Sequence, residues 1–292
     1  MDILDAIVLG VVQGVTEFLP ISSTGHLILV REFLGITADH GLAVDAVLQL
    51  ATALAVLIYF RKDFAALARV GAGIAVDWCM RRISRSRAEE IAPLNGEERM
   101  LLFALVVGTI PAVIAGLLLE DYMETTFRSA ELVAFMLIIG SFIFLAAEYV
   151  SRRYESQGIH NQIGPRQGLL IGLFQCLALI PGMSRSGATI SGGLFLGLSR
   201  EAAARFGFLL SLPIILGSGL KKALELGSEG FLSTQGLPLL TGALVAFVVG
   251  ITAIHYLLRF LRNHTLMVFI VYRIALASLV LILFLNVMTP EM

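Results

Sequence analysis

Charged residues are scarce in this chain. Asp, Glu, Lys and Arg make up 15% of its 292 residues, whereas a soluble domain carries about a quarter. Hydrophobic residues make up 57%, and the mean hydropathy is +0.87. A soluble fold of this size could not cover so much apolar surface with polar side chains. The composition therefore excludes an ordinary soluble domain and indicates lipid as the solvent.

Cysteine is rare, and neither a basic stripe nor a signal peptide is recognisable. Cys79 and Cys176 do not read as a disulfide framework or metal cluster, so we interpret both as inert packing residues. With a formal net charge of −1 and no basic stripe, we expect no nucleic-acid partner. Asp2 and Asp5 stand where a cleavable signal would carry basic residues, so none is expected.

Long apolar blocks predict the fold. Five of them approach or exceed the length that a membrane span needs: 43–60, 100–119, 131–150, 237–258 and 265–288. A sixth block, 206–220, reaches that length if Lys221 and Lys222 extend to the membrane interface. Four shorter blocks form two pairs, 3–36 and 167–198, each joined by a turn rich in Pro, Gly and Ser. We predict an all-α integral membrane protein with six transmembrane helices and two re-entrant helix–turn–helix hairpins.

The two hairpins are similar in sequence. A shift of 162 residues superimposes seven identical residues, including polar residues of the turn: Gly10/Gly172, Gln13/Gln175, Ser22/Ser184, Gly25/Gly187, Phe33/Phe195, Leu34/Leu196 and Gly35/Gly197. The pattern predicts one membrane domain built from two repeats, 1–150 and 151–292. Each repeat holds one hairpin and three spans, and an odd number of spans inverts the second repeat.

Charges between the blocks predict the orientation. Residues 61–99 hold eight Lys or Arg, and basic residues recur at 152–166 and 259–262, whereas 120–131 is mainly acidic. The basic segments favour the cytoplasm, which puts both termini and the first hairpin outside. The second hairpin then enters from the cytoplasm, so that the two turns meet near the midplane. Residues 64–90 read as an amphipathic helix on the inner leaflet.

Each turn concentrates polar residues. In "EFLPISSTGH", Gln13 and Glu17 share a helix face, Pro20 ends that helix, and Ser22 or Ser23 caps the next, which carries His26. In "PGMSRSGAT", Ser184 or Ser186 caps a helix at Arg185. Two converging helix N-termini and an arginine predict an anion site.

A carboxylate beside an anion needs a cation between them. Glu17, with Gln13 as a neutral oxygen ligand, therefore predicts a divalent cation, Mg²⁺ or Ca²⁺. Intramembrane Glu, His and Arg are costly to bury, which favours a functional site over a structural one. Arg273, in the middle of the last block, is expected to support the structure by pairing with an acid or with backbone carbonyls.

The motifs "QGVTEFLPISSTGH" and "PGMSRSGAT" resemble the two signatures of the bacterial undecaprenyl-diphosphatases of the bacitracin-resistance type. The resemblance covers nearly the whole chain. It implies an inner-membrane enzyme that removes the terminal phosphate of undecaprenyl diphosphate and leaves the monophosphate carrier lipid for cell-wall polymers. Its acidic motif falls on Gln13 and Glu17, its Ser and His on Ser23 and His26, and its second motif on Ser184, Arg185 and Thr189. Gln13 departs from the Glu of some members, so it can only be a neutral ligand.

From these residues we predict a mechanism and keep its alternatives. Ser23 attacks phosphorus, His26 one turn later takes its proton, Glu17 holds the metal or orients His26, and Arg185 neutralises the phosphate. His26 and metal-bound water remain alternative nucleophiles. The substrate-binding residues are predicted to be Ser22, Thr24, Gly25, Ser184, Ser186, Gly187 and Thr189. A lipid-phosphate transporter is the alternative function. The sequence leaves the oligomeric state open, and a homodimer is one of the possibilities.

Overall fold

The computed structural model describes residues 1–36, 41–83, 96–119, 122, 129–155, 158–159, 161–228 and 231–288. These residues form helices and no strand, which confirms the all-α prediction. The eleven helices within this part of the chain are α1 (Ile3–Thr16), α2 (Ser23–Leu34), α3 (Gly41–Tyr59), α4 (Arg61–Ile83), α5 (Gly96–Leu118), α6 (Ala130–Glu155), α7 (Pro165–Leu177), α8 (Arg185–Phe195), α9 (Arg200–Ser228), α10 (Phe231–Leu261) and α11 (Met267–Met288).

Four helices are long and apolar enough to cross a membrane. The qualifying segments are Gly96–Leu118, Ala130–Tyr154, Arg200–Lys221 and Gln235–Leu261. A fifth span is added if α3 and α4, which are bent by 79° at their junction, count as one unit. The multi-pass architecture is therefore confirmed, and the arrangement of six spans with two re-entrant hairpins stays a prediction.

Helix α4 corresponds to the predicted amphipathic segment. Leu67 and Val70 on one face are buried, whereas Val76 and Trp78 are exposed. The sharp bend after α3 turns α4 away from the direction of that helix. Residues 84–90 of the predicted segment lie outside the described residues, as do the side chain of Cys79 and most of the acidic segment 120–131.

Polar contacts collect several helix termini at one end of the bundle, which we call the basic end. Here α4, α5, α7 and α9 begin and α10 ends. Three side-chain contacts link these termini: Asp63–Arg205, Glu97–Gln162 and Glu201–Arg262. The three basic segments predicted to share one side of the membrane therefore adjoin one end of the fold.

The hairpins enter from opposite ends of the bundle. Hairpin 1 (α1 and α2) is attached at the end opposite the basic end, where Arg31 in the last turn of α2 pairs with Asp45 near the start of α3 at 2.5 Å. Hairpin 2 (α7 and α8) is attached at the basic end, since Gly197 after α8 lies against Tyr154 near the end of α6. Their turns therefore face each other inside the bundle.

Each hairpin packs its first helix against a helix of the other half of the chain. Gly10 of α1 lies so close to the carbonyl of Gly242 in α10 that a Cβ would collide with it. Gly172 of α7 meets the carbonyl of Gly108 in α5 in the same way. Glycine permits such backbone contact because it has no side chain. Two of the repeated glycines thus fix where the hairpins sit.

Candidate active site between the hairpin turns

The two turns have the same backbone geometry. Ser22 and Ser184 are the N-caps of α2 and α8, with φ of 75° and 74°. Each hydroxyl accepts a hydrogen bond from the N–H three residues later, Gly25 at 3.4 Å and Gly187 at 3.3 Å. A positive φ is uncommon for a residue with a Cβ, so its occurrence at both caps indicates that tertiary contacts hold them.

Hydrogen bonds join one turn to the other. Ser22 Oγ accepts a bond from the N–H of Gly182 at 3.1 Å, and Ser186 Oγ donates to the carbonyl of Leu19 at 3.0 Å. The Ser22 hydroxyl therefore serves its own helix and the opposite turn. The serines of the second motif also contact each other, with 3.2 Å between the hydroxyls of Ser184 and Ser186.

Arg273 of α11 forms hydrogen bonds to both turns. Its side chain is fully buried and donates to the carbonyls of Pro20 in hairpin 1 and Gly182 in hairpin 2, at 3.4 and 3.0 Å. Further bonds reach Leu137 O and Ser141 Oγ in α6. Backbone carbonyls rather than an acid thus receive this arginine, which is one of the two partners expected from the sequence.

Glu17 lies at the centre of the junction. One of its oxygens accepts hydrogen bonds from Ser23 Oγ at 2.6 Å and from Gln13 Nε2 at 2.9 Å. The other forms an ion pair with Arg185 of the second turn. The carboxylate is buried, with 2% of its side chain exposed, whereas 22% of the Arg185 side chain is exposed. A buried carboxylate, a hydroxyl and a guanidinium thus meet across the two hairpins.

His26 does not bond to Ser23 in this arrangement. Its Nδ1 lies 2.7 Å from the carbonyl of Ser22, and its Nε2 lies 2.8 Å from the hydroxyl of Tyr272 in α11. Both ring nitrogens of His26 are therefore engaged by partners other than Ser23. We expected His26 to take the Ser23 proton, but in the structure Glu17 is the hydrogen-bond acceptor of Ser23.

A cavity of about 490 Å³ opens in front of this centre. Its floor is formed by both turns, and its walls come from the first half of α3, the end of α5 and the second half of α9. These wall segments lie toward the end opposite the basic end, so the cavity opens in that direction. The predicted site residues that line it are Glu17, Ser22, Ser23, Thr24, Ser184 and Arg185.

The remaining predicted site residues support the turns from positions away from this cavity lining. A Cβ at Gly25 would approach Val133, and one at Gly187 would overlap the ring of Phe144, so both glycines allow close packing on α6. Thr189 is 1% exposed and donates to the carbonyls of Arg185 and Ser186 in its own helix. Gln13 lies behind Glu17 with no exposed surface.

Several polar residues in the cavity were not predicted from the sequence. Gln175 at the end of α7 reaches the floor, and Asp45, Gln49 and Lys221 line the walls. The repeat could have identified Gln175, because it is the counterpart of Gln13. The wall residues lie on long apolar helices, and neither motif marks them.

The oxygen ligands of the junction restrict the kind of cation that fits. The described residues contain no group of three or more His, Cys, Asp or Glu that could hold a metal ion. Gln13 Oε1 is buried and has no hydrogen-bond partner in the described part of the chain. Arg185 already neutralises Glu17, so the positive charge inferred from the sequence is partly supplied by the chain. In this arrangement the Gln13 amide donates to Glu17, and both Glu17 oxygens are paired. A cation held by Gln13 and Glu17 would therefore have to take most of its ligands from water and phosphate, as Mg²⁺ does.

The chain is similar to known proteins over nearly its whole length. A family model described as "Bacitracin resistance protein BacA" matches residues 6–279. A Myxococcus xanthus protein named undecaprenyl-diphosphatase is 46% identical over 97% of this chain and 89% of its own length. Proteins with the same name from Thermobifida fusca and Rubrobacter xylanophilus are 42% and 43% identical, covering 100% and 96% of this chain and 94% and 97% of their own lengths.

Proposed function

The chain belongs to the family described as bacitracin resistance protein BacA, and we propose that it is an undecaprenyl-diphosphatase. This match confirms the family predicted from the two motifs. The enzyme removes the terminal phosphate of a prenyl diphosphate and leaves the lipid monophosphate. The observation that carries the proposal is the buried Glu17–Ser23 hydrogen bond facing Arg185 in an open cavity.

The cavity suits a substrate with one polar and one apolar end. Its floor carries the polar residues of the two turns, and its walls include Val113, Leu117 and Ile214. A diphosphate on the floor lies beside Arg185 and the N-termini of α2 and α8, where the positive helix dipoles favour anions. The prenyl tail leaves between the apolar walls and stays in the bilayer.

The first chemical step forms a phosphoserine. Substrate phosphate draws Arg185 away from Glu17, because a guanidinium binds two phosphate oxygens in one plane. Glu17 accepts the Ser23 proton, and Ser23 Oγ attacks the terminal phosphorus. The bond from that phosphorus to the bridging oxygen breaks, and its electron pair stays on the lipid monophosphate. Arg185 and the helix N-termini neutralise the charge that develops on the equatorial oxygens.

The second step restores the enzyme. A water attacks the phosphoserine, Glu17 returns its proton to Ser23 Oγ as the P–O bond breaks, and the proton of the water passes to the departing phosphate. Inorganic phosphate then leaves through the cavity. We propose that Gln13 and Glu17 hold a divalent cation when substrate is present. Such an ion would further neutralise the charge of the phosphates.

We propose a positioning role for His26, although the sequence predicted that it takes the Ser23 proton. Its bonds to the Ser22 carbonyl and to Tyr272 connect the start of α2 to α11, so we propose that it positions Ser23. Glu17→Gln should then lower kcat by about 10²- to 10⁴-fold through loss of the base. His26→Gln should lower kcat less, without shifting the acidic limb of the pH profile. A larger loss in His26→Gln, rescued by imidazole, would make His26 the base.

The same geometry supports a placement in the membrane. We propose that the basic end faces the cytoplasm, that α3, α5, α6, α9, α10 and α11 span the bilayer, and that the hairpins are re-entrant from opposite sides as halves of an inverted repeat. The cavity then opens on the outer side of the inner membrane. Single cysteines at exposed Lys62 and Leu4, labelled by an impermeant reagent in intact and broken cells, test the assignment.

Transport of a lipid phosphate is the second candidate, because the hairpins enter from opposite ends of the fold. The purified protein in detergent separates the two functions. Phosphate release from undecaprenyl diphosphate, measured with and without a chelator, supports the phosphatase. Movement of a labelled lipid phosphate across liposomes without phosphate release would contradict it.

A further inference from the structure

Gln175 is a buried amide that the described part of the chain leaves unpaired. It lies in the last turns of α7 with 3% of its surface exposed, and among the described residues neither its Nε2 nor its Oε1 has a hydrogen-bond partner. Unpaired buried amide groups are costly, and most such groups in proteins find partners. Gln175 also lines the cavity together with Ser184 and Arg185. A polar side chain with unpaired atoms at the floor of a cavity can form hydrogen bonds with a ligand bound there.

Its counterpart in hairpin 1 explains why this amide is unpaired. Gln13 lies 162 residues earlier and donates its Nε2 hydrogen to Glu17, four residues later. The residue four positions after Gln175 is Leu179, which offers no side-chain acceptor. The same residue type therefore orients a carboxylate in one hairpin and has an unused donor in the other.

We propose that Gln175 is a substrate-binding residue that donates from Nε2 to a phosphate oxygen of the diphosphate. The proposal rests on the phosphatase function given above and extends its site to α7. An anionic oxygen is a strong acceptor, and bonds to charged groups are stronger than neutral ones. Because an amide carries no charge, Gln175 adds a contact to the phosphate without competing with Arg185 for Glu17.

Two substitutions test the contact. Gln175→Leu removes both polar atoms at similar size, and Gln175→Glu keeps the shape but replaces the donor with an acceptor that repels phosphate. We expect Gln175→Leu to raise KM for a prenyl diphosphate, and the inhibition constant of inorganic pyrophosphate, by about 10- to 100-fold. Gln175→Glu should raise the KM and the inhibition constant of pyrophosphate more than Gln175→Leu does.

Thermal stability separates binding from structural support. A side chain that supports the fold lowers Tm when it is lost, whereas removing an unpaired buried amide leaves Tm unchanged or raises it. We therefore expect ligand-free Gln175→Leu in detergent to melt no lower than the wild type, and inorganic pyrophosphate to raise its Tm less. Leu173→Ala, on the exposed side of the same helix, is the control and should keep the wild-type KM and pyrophosphate response.

The outcomes are distinct for the two proposals. If the wild type hydrolyses the lipid and both Gln175 variants keep its KM and its inhibition by pyrophosphate, the role of Gln175 is wrong and the phosphatase stands. If the wild type releases no phosphate but pyrophosphate raises its Tm through Gln175, the phosphatase is wrong and the anion contact stands. A wild type that neither hydrolyses the lipid nor responds to pyrophosphate contradicts both.

Discussion

The two hairpin turns have the same backbone conformation at their caps but carry different side chains. Both begin their second helix after a serine cap with positive φ. At the first residue of that helix, hairpin 1 has Ser23 and hairpin 2 has Arg185, and where hairpin 1 has Glu17, hairpin 2 has Leu179. One turn therefore carries a hydroxyl and the carboxylate that accepts its hydrogen bond, and the other carries a positive charge.

This difference has a physical reason. Two copies of the first turn would place two carboxylates beside the substrate, and their charges would repel its phosphates. Two copies of the second turn would contain neither the hydroxyl nor the carboxylate that we propose as nucleophile and base. In the proposed mechanism, the repeated backbone supplies two helix N-termini for the phosphates, and the side chains that differ between the turns supply the reaction.

The largest expected effect comes from removing Ser23, the proposed nucleophile of hairpin 1. Ser23→Ala should reduce kcat by about 10⁴-fold or more, because no phosphoserine can form. It should still be stabilised by inorganic pyrophosphate, since Arg185 and both caps remain. Mass spectrometry of acid-quenched wild-type enzyme should detect phosphate on Ser23. Substantial turnover by the variant would exclude the serine and leave His26 or metal-bound water as nucleophile.

Changing the cation of hairpin 2 should have the next largest effect. Arg185→Lys keeps the positive charge but loses the planar pair of donors, so we expect kcat/KM to fall about 10²-fold with the fold intact. Phosphate release and Tm are measured on the same preparation. Near wild-type turnover would contradict a bidentate contact with phosphate.

Substitution of Arg273, which bonds to both turns, should lower stability more than turnover. Arg273→Leu leaves the carbonyls of Pro20 and Gly182 without this donor, so we expect a loss of at least about 2 kcal/mol in stability. Turnover per folded molecule should fall less than threefold. If turnover collapses while Tm is unchanged, Arg273 contributes directly to the reaction.

The smallest expected effect distinguishes the two caps. Ser22 accepts bonds from Gly25 and from Gly182 of the other turn, whereas Ser184 accepts a backbone bond from Gly187. Ser22→Ala should therefore cost about 1–2 kcal/mol and Ser184→Ala about 0.5–1 kcal/mol. Thermal unfolding of the two variants gives the comparison. Equal losses would mean that the bond between the turns contributes little.

The sequence by itself determined four properties of this protein: its lipid surroundings, its helical class, the position of its two hairpins and its family. Apolar blocks are local signals, and long polar motifs within them identify the turns without any knowledge of packing. The shift of 162 residues also predicted which positions share a local geometry, as the caps Ser22 and Ser184 illustrate.

Only the tertiary structure decided which polar groups meet. The acceptor of Ser23 is Glu17 rather than His26, and the second nitrogen of His26 lies against the hydroxyl of Tyr272, which is 246 residues away. Arg273 reaches both turns from α11. Gln175 lines the cavity without a partner among the described residues, and Leu179 stands where hairpin 1 has Glu17. Spacing along a chain fixes neighbours on one helix, but contacts between helices distant in sequence depend on how the whole bundle packs.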